Sequence, residues 1–405
     1  MYSGTPEASR LQALHPHQQM TRKEALRLEY LDGLRAVAAL YVVLFHAGVG
    51  FLDPQRQLAG FARHLQRGLS FGHDAVAVFI VLSGYCLMLP VARAPVPGQL
   101  VRGVPDYIAR RAWRILPPYF ATLAGSLLLI ALVPVLETPT KSIWADTFPA
   151  FEFGAITSHL LLIHNLSPAW SNRINGPLWS VATEWQIYFV FPFVLLPVWR
   201  RFGAASTVAV AFALGSALTF IVPSAARSSC SWYIGLFGLG MCAAGISFAP
   251  RPGEQRLRER VPWGIVCVGM LAAVVCGITV LIKYWFRVMP YSDALVGAAT
   301  ASALLYLTPY ALRSSERAPL PLRILQSGPL VGLGRFSYSL YLTHLPVVAL
   351  CYFGLRRLEL SPNAEMLSLI MLSVPLSVLF SYAFYWVFER RFVGAPPAFF
   401  RLRRS

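Results

Sequence analysis

The chain has 405 residues, of which 56% are hydrophobic and only 13% charged, with a mean hydropathy of +0.55. A soluble domain carries about 25% charged residues, so this composition excludes an ordinary soluble fold. The net charge of +17 would point to nucleic acid in a soluble protein, but here the basic residues sit between apolar runs, and no nucleic-acid partner is expected.

Ten segments are long enough to cross a hydrocarbon core of about 30 Å, which takes about 20 helical residues. They lie at approximately 34–53, 74–91, 116–136, 178–198, 204–222, 230–248, 263–283, 291–311, 329–355 and 367–388. Lipid leaves no water to satisfy backbone polar groups and period-2 alternation is absent, so the spans read as helices. The expected fold is an all-α integral membrane bundle of about ten transmembrane helices. Segments on the side of the N-terminus hold about two thirds of the 35 Lys and Arg, which by the positive-inside rule makes both termini cytoplasmic.

Residues 1–33 lack the apolar core of a secretory signal and read as a cytoplasmic tail, with the first span retained as an anchor. Residues 34–391 form the membrane domain, and 392–405 a short basic cytoplasmic tail. The six cysteines show no Cys-x-x-Cys spacing, so neither a disulfide framework nor a metal site is expected.

Ionisable groups inside an apolar bundle are costly, about 2.5–3.5 kcal/mol for Asp, Lys or Arg at a helix centre, and need a reason to be there. In the first span Arg35 and His46 are eleven positions apart, about 16 Å along a helix. Among the eighteen acids only Glu184 lies well inside a span; Asp74 and Glu389 fall at span edges and the rest are read as loop or tail residues. Of the eight histidines only His46 and His344 are inside. On the helical rise, Ser83, His46, Glu184 and His344 fall at about 16–22 Å above the cytoplasmic surface, one polar layer drawn from four helices.

The order of motifs resembles the acyltransferase family 3 of membrane proteins. Arg35 and His46 reproduce its Arg-(ten residues)-His element. HDAVAVFIVLSGY (73–85) is similar to its second-span element, and RRAWRILPPY (110–119) to the basic loop that follows. GPLWSVATEWQIYFVFP (176–192) and GRFSYSLYLTHLP (334–346) complete the set. The resemblance covers nearly the whole chain and implies O-acylation of a hydroxyl on a glycan, a lipid-linked sugar or another extracytoplasmic acceptor. The donor would be cytoplasmic acyl-CoA, with acetyl-CoA the prior and succinyl an alternative. It also implies a multi-pass protein of the bacterial cytoplasmic (inner) membrane; homo-oligomer formation is left open.

Within that reaction His46 is the expected general base, because an imidazole accepts and returns a proton near neutral pH. Glu184 is expected to orient it as the buried acid does in a hydrolase triad. Arg110, Arg111 and Arg114 present guanidinium forks suited to nucleotide phosphates, and equally suited to anchoring on anionic lipid. Arg35 would guide the donor's arm into the bundle. Ser83, Tyr85, Trp179, Tyr188, Tyr338 and His344 are the remaining expected substrate-side residues, with hydrogen bonding between helices the plainer role for Ser83 and His344. The outer loop 137–177 mixes Trp144, Phe148, Phe151, Phe153 and Trp170 with Asn165, Asn172 and Asn175, and is expected to help bind the acceptor. The competing class is a secondary transporter or flippase, which midplane ionisable groups also describe; neither inverted repeats nor broken helices are evident in the sequence.

Overall fold

The computed structural model describes residues 28–100, 102–281, 289–313 and 318–394, and every regular element among them is helical. Most of the expected N-terminal tail and nearly all of the basic C-terminal tail lie outside the described residues. The first helix, α1 (Glu29–Phe45), begins with Glu29 and Asp32 in its first turn, where carboxylates meet the positive end of the helix dipole. It then widens into one π-turn, His46–Gly50, of the kind found in short pieces at functional sites. After the short amphipathic helix Gly60–Leu69 comes α2 (Gly72–Ala92), apolar on all sides, and then α3 (Gly103–Leu132).

The segment that follows is built of short turns and the helix Phe153–Leu160. The chain re-enters the bundle as α4 (Leu178–Val190), which passes through a π-turn at Phe191–Leu195, and α5 (Ala204–Ile221) follows. Then come α6 (Tyr233–Phe248), α7 (Trp263–Leu281), α8 (Met289–Arg313), α9 (Ser337–Leu355) and α10 (Pro362–Phe384).

Among the described residues nine helical runs are long and apolar enough to cross a membrane. The sixth expected span is the exception. α6 has 16 residues and bends by 86° into the basic helix Pro252–Arg260, because Pro250 and Pro252 interrupt the run and proline removes a helix hydrogen bond. Counting that bent pair as one span gives ten. The ninth expected span is also divided, into Gly328–Gly334 and α9. The second break divides a segment expected as one helix, whereas the first lies just beyond the expected span 230–248.

The centre of the bundle is α2 against α6. A Cβ on Gly240 would lie 2.0 Å from the Val81 carbonyl oxygen, and one on Gly84 would lie 2.1 Å from that of Phe237. The two backbones therefore touch, as small residues permit in membrane helix pairs. Around this pair α1, α8 and α5 close the bundle, while α7 turns Ile265, Val268 and Val280 outward. Those exposed aliphatic side chains form the face a lipid tail covers.

Candidate active site

Two adjoining cavities occupy the polar middle of the bundle. The larger, about 740 Å³, includes Arg35, Ser83, Arg111, Arg114, Glu184 and Arg335 in its walls. The smaller, about 210 Å³, is walled by His46, His73, Asp146, Asn172 and Trp179 among others. Val76 and Tyr341 belong to both, so one thin partition separates them.

His46 opens the π-turn at the end of α1. Its Nδ1 lies 2.9 Å from the Val42 carbonyl oxygen and 3.1 Å from His344 Nε2. His344 is fully buried on α9, and its own Nδ1 lies 2.8 Å from the Tyr341 carbonyl oxygen and 3.1 Å from that of Leu340. A carbonyl only accepts, so His344 carries its proton on Nδ1 and presents a lone pair at Nε2. His46 Nδ1–H then donates to that lone pair and to Val42. Its Nε2, on a ring in the wall of the small cavity, retains the lone pair a base requires.

Glu184 is placed differently from the expectation. Its Oε1 accepts from the Tyr188 hydroxyl at 2.7 Å, and Tyr188 lies 3.1 Å from the Ser83 hydroxyl. Three expected residues thus form one chain on the wall of the large cavity, while the side chain hydrogen-bonded to His46 is His344. Depth along the helices brought these groups to one layer; rotation about the helix axes divides them into two clusters.

The basic residues also divide. Arg35 pairs with Asp32 at 3.1 Å and approaches Cys86 Sγ at 3.0 Å. Arg114 pairs with Glu389 at 2.7 Å and lies over the Tyr338 ring at 5.9 Å, and the Tyr338 hydroxyl donates to the Ile115 carbonyl oxygen. Arg111 reaches the large cavity with its Nε buried and unpartnered. Arg110 is bound to Asp106 on its own helix and does not line the large cavity. Tyr85 is likewise outside both cavities: its hydroxyl lies 2.7 Å from Thr308, which also meets Tyr30 at 2.8 Å. Trp179 does line the small cavity, stacked on His73 at 5.8 Å with the rings 12° from parallel.

Of the outer-loop aromatics and amides expected at the acceptor, Asn172 alone lines the small cavity. Trp144 is buried and donates to Leu136, Asn165 donates to Thr183, and Asn175 donates to the Leu342 carbonyl oxygen. These side chains tie the loop to the bundle. Within the loop the His159 and His164 rings stack at 3.8 Å, both fully buried. Burial pulls His159 down to about 4, and burial together with the neighbouring His159 pulls His164 down to about 2.

His73 and Asp293 were missed in the sequence. A span boundary drawn at 74 excluded His73 by one residue, and Asp293 near the start of α8 was read as a loop acid. The expected span 291–311 already contains Asp293, so the signal was present in the span bounds themselves.

A bundle of nine or ten long apolar helices among the described residues, with two adjoining cavities at its centre, defines an integral membrane protein. A family model described as "Acyltransferase domain" matches residues 28–386, and the chain belongs to this acyltransferase family 3. The acyltransferase MdmB of Streptomyces mycarofaciens is 26% identical over 379 residues, covering 86% of this chain and 88% of the relative. The O-acetyltransferase OatA of Staphylococcus aureus is 21% identical over 334 residues, covering 78% of this chain and 50% of the relative, so the match spans only half of OatA's length. No solved structure matches the chain.

Proposed function

We propose that the protein moves an acyl group from acyl-CoA, entering from the cytoplasmic side, to a hydroxyl of a glycan or other extracytoplasmic acceptor. Acetyl is the group we assign, in line with the O-acetyltransferase name of one relative. The observation that carries the reading is the pair of cavities meeting at Val76 and Tyr341, with the His46 ring on the smaller side. The larger cavity is of the size that holds an extended organic ligand, typically about 300–1,000 Å³. Arg35, Arg111, Arg114 and Arg335 in its wall suit the phosphates of the donor. The smaller has room for about seven waters at 30 Å³ each, enough for one hydroxyl-bearing unit rather than a whole glycan.

In this scheme the acceptor oxygen bonds to the thioester carbon as its proton passes to His46 Nε2. The carbonyl oxygen takes the charge, the carbon–sulfur bond then breaks, and the departing thiolate recovers the proton from His46. His344 stabilises the transient His46 imidazolium through the Nδ1–H bond. Glu184, with Tyr188 and Ser83, shapes the donor side. Both termini then lie in the cytoplasm of a bacterial inner-membrane protein whose donor never crosses the bilayer.

The test is purified protein in detergent given acetyl-CoA and cell-envelope glycan. Acceptor-dependent release of free thiol, with alkali-labile acetyl appearing on the glycan, is expected. Movement of solute across proteoliposomes with no thiol release would replace this reading with a transporter.

A further inference from the structure

His73 is the second histidine in the wall of the small cavity. It sits in the first turn of α2, and its Nε2 lies 3.1 Å from Asp293 Oδ2 and 3.1 Å from the Tyr233 hydroxyl. The same Asp293 oxygen accepts from Trp232 Nε1 at 2.8 Å. Asp293 is fully buried, and its other oxygen, Oδ1, has no hydrogen-bond partner. A carboxylate so placed is expensive unless a counter-charge stands beside it, and the imidazolium of His73 is the group in position. The parallel face of Trp179 at 5.8 Å favours the same charged form.

With Nε2–H turned to Asp293, no hydrogen bond among the described residues engages Nδ1. An imidazolium held this way offers one N–H to the cavity that His46 also lines. Acyl transfer places negative charge on the carbonyl oxygen, and a preorganised donor aimed at that charge is among the strongest catalytic devices available.

We propose that His73 is a second catalytic histidine, donating from Nδ1 to the oxyanion, and that Asp293 is the positioning residue that keeps it cationic. The inference rests on the acyl-transfer reading above and adds to it the group that faces the developing charge. No proton moves through His73: it carries the same proton on Nδ1 before and after the carbon–sulfur bond breaks. The titratable groups around it are Asp293 on α8, Tyr233 on α6 and Asp74 on its own helix, with His46 and Asp146 across the cavity. Cys230 lies within electrostatic reach of Asp293.

The experiment measures kcat, donor KM and the pH profile of glycan acetylation for detergent-purified wild type, His73→Gln, His73→Lys and Asp293→Asn. His73→Gln is expected to lower kcat about 100-fold, the usual loss for one oxyanion donor, with donor KM within about twofold. His73→Lys, which restores a cation, recovers part of that loss. Asp293→Asn makes His73 easier to deprotonate, so the alkaline limb of the profile moves to lower pH and activity returns towards wild type near pH 6. A kcat within threefold of wild type in His73→Gln overturns the proposal. So does a loss in Asp293→Asn that is equal at every pH, which marks a merely structural pair. His46→Ala run in parallel separates the two readings. Inactive His46→Ala with fully active His73→Gln removes His73 alone, whereas active His46→Ala with impaired His73→Gln removes His46 as the base.

Discussion

Replacing His344 by Leu isolates what the second ring does for the first. His344 is fully buried against His46 and Leu fills much of its volume, so the packing of α9 against the end of α1 is retained. The change removes the acceptor 3.1 Å from His46 Nδ1 and leaves the Val42 carbonyl oxygen at 2.9 Å, so the proton stays on the same nitrogen. A neutral hydrogen bond contributes about 0.5–1.5 kcal/mol, and one to a charged group about 1.5–3 kcal/mol. The bond to His344 therefore gains about 1–1.5 kcal/mol when His46 takes up the acceptor's proton. That is about tenfold in rate, and it should fall on kcat with donor KM unchanged. The assay is initial-rate acetylation with purified protein matched for monodisperse elution. A wild-type kcat in His344→Leu would refute the bond's role, and complete loss would transfer the role of base to His344.

Four further outcomes are open to measurement. Arg111→Ala is expected to weaken acyl-CoA binding about tenfold or more, as loss of a charged hydrogen bond implies, while Arg110→Ala, already occupied by Asp106, leaves the calorimetric Kd unchanged. Gly240→Leu would force a side chain into the Val81 carbonyl and abolish folded protein in membranes, read by fluorescence-detected gel filtration. The outer loop carries a pH signature: His159 and His164 titrate near 6.5 when unfolded and are pulled down by burial, His159 to about 4. Unfolded chains then bind more protons below pH 6.5, so stability is full above that value and falls as pH drops towards 4. The thermal midpoint should decline over that window, and His159→Phe/His164→Phe should flatten the decline; a midpoint independent of pH in wild type would contradict the buried pair. The fourth outcome concerns His46 itself.

Apolar length and charge distribution made the helical bundle legible, because a membrane leaves helices as the economical way to satisfy the backbone. The same arithmetic placed His46, Ser83, Glu184 and His344 at one depth. It could not supply azimuth. A helix turns 100° per residue, so a rotation that depends on packing decides whether Glu184 or His344 meets His46. The apolar run 230–248 was read as a full span, but α6 takes up only 16 residues of it, and Pro250 and Pro252 just beyond bend the chain by 86°. His73 was lost to a boundary one residue too late. Asp293 was hidden because an acid near a span edge reads as solvated, and only the approach of α2 and Trp232 buries it.

In the proposed reaction His46 takes the acceptor's proton where the two cavities meet. Transfer from radiolabelled acetyl-CoA to envelope glycan, measured for His46→Ala and His46→Gln at matched membrane abundance and matched acyl-CoA binding, tests it most directly. A loss of at least about 100-fold is expected in both, the lower end of what a positioned general base supplies, with donor affinity unchanged. Transfer at the wild-type rate in either variant would contradict it.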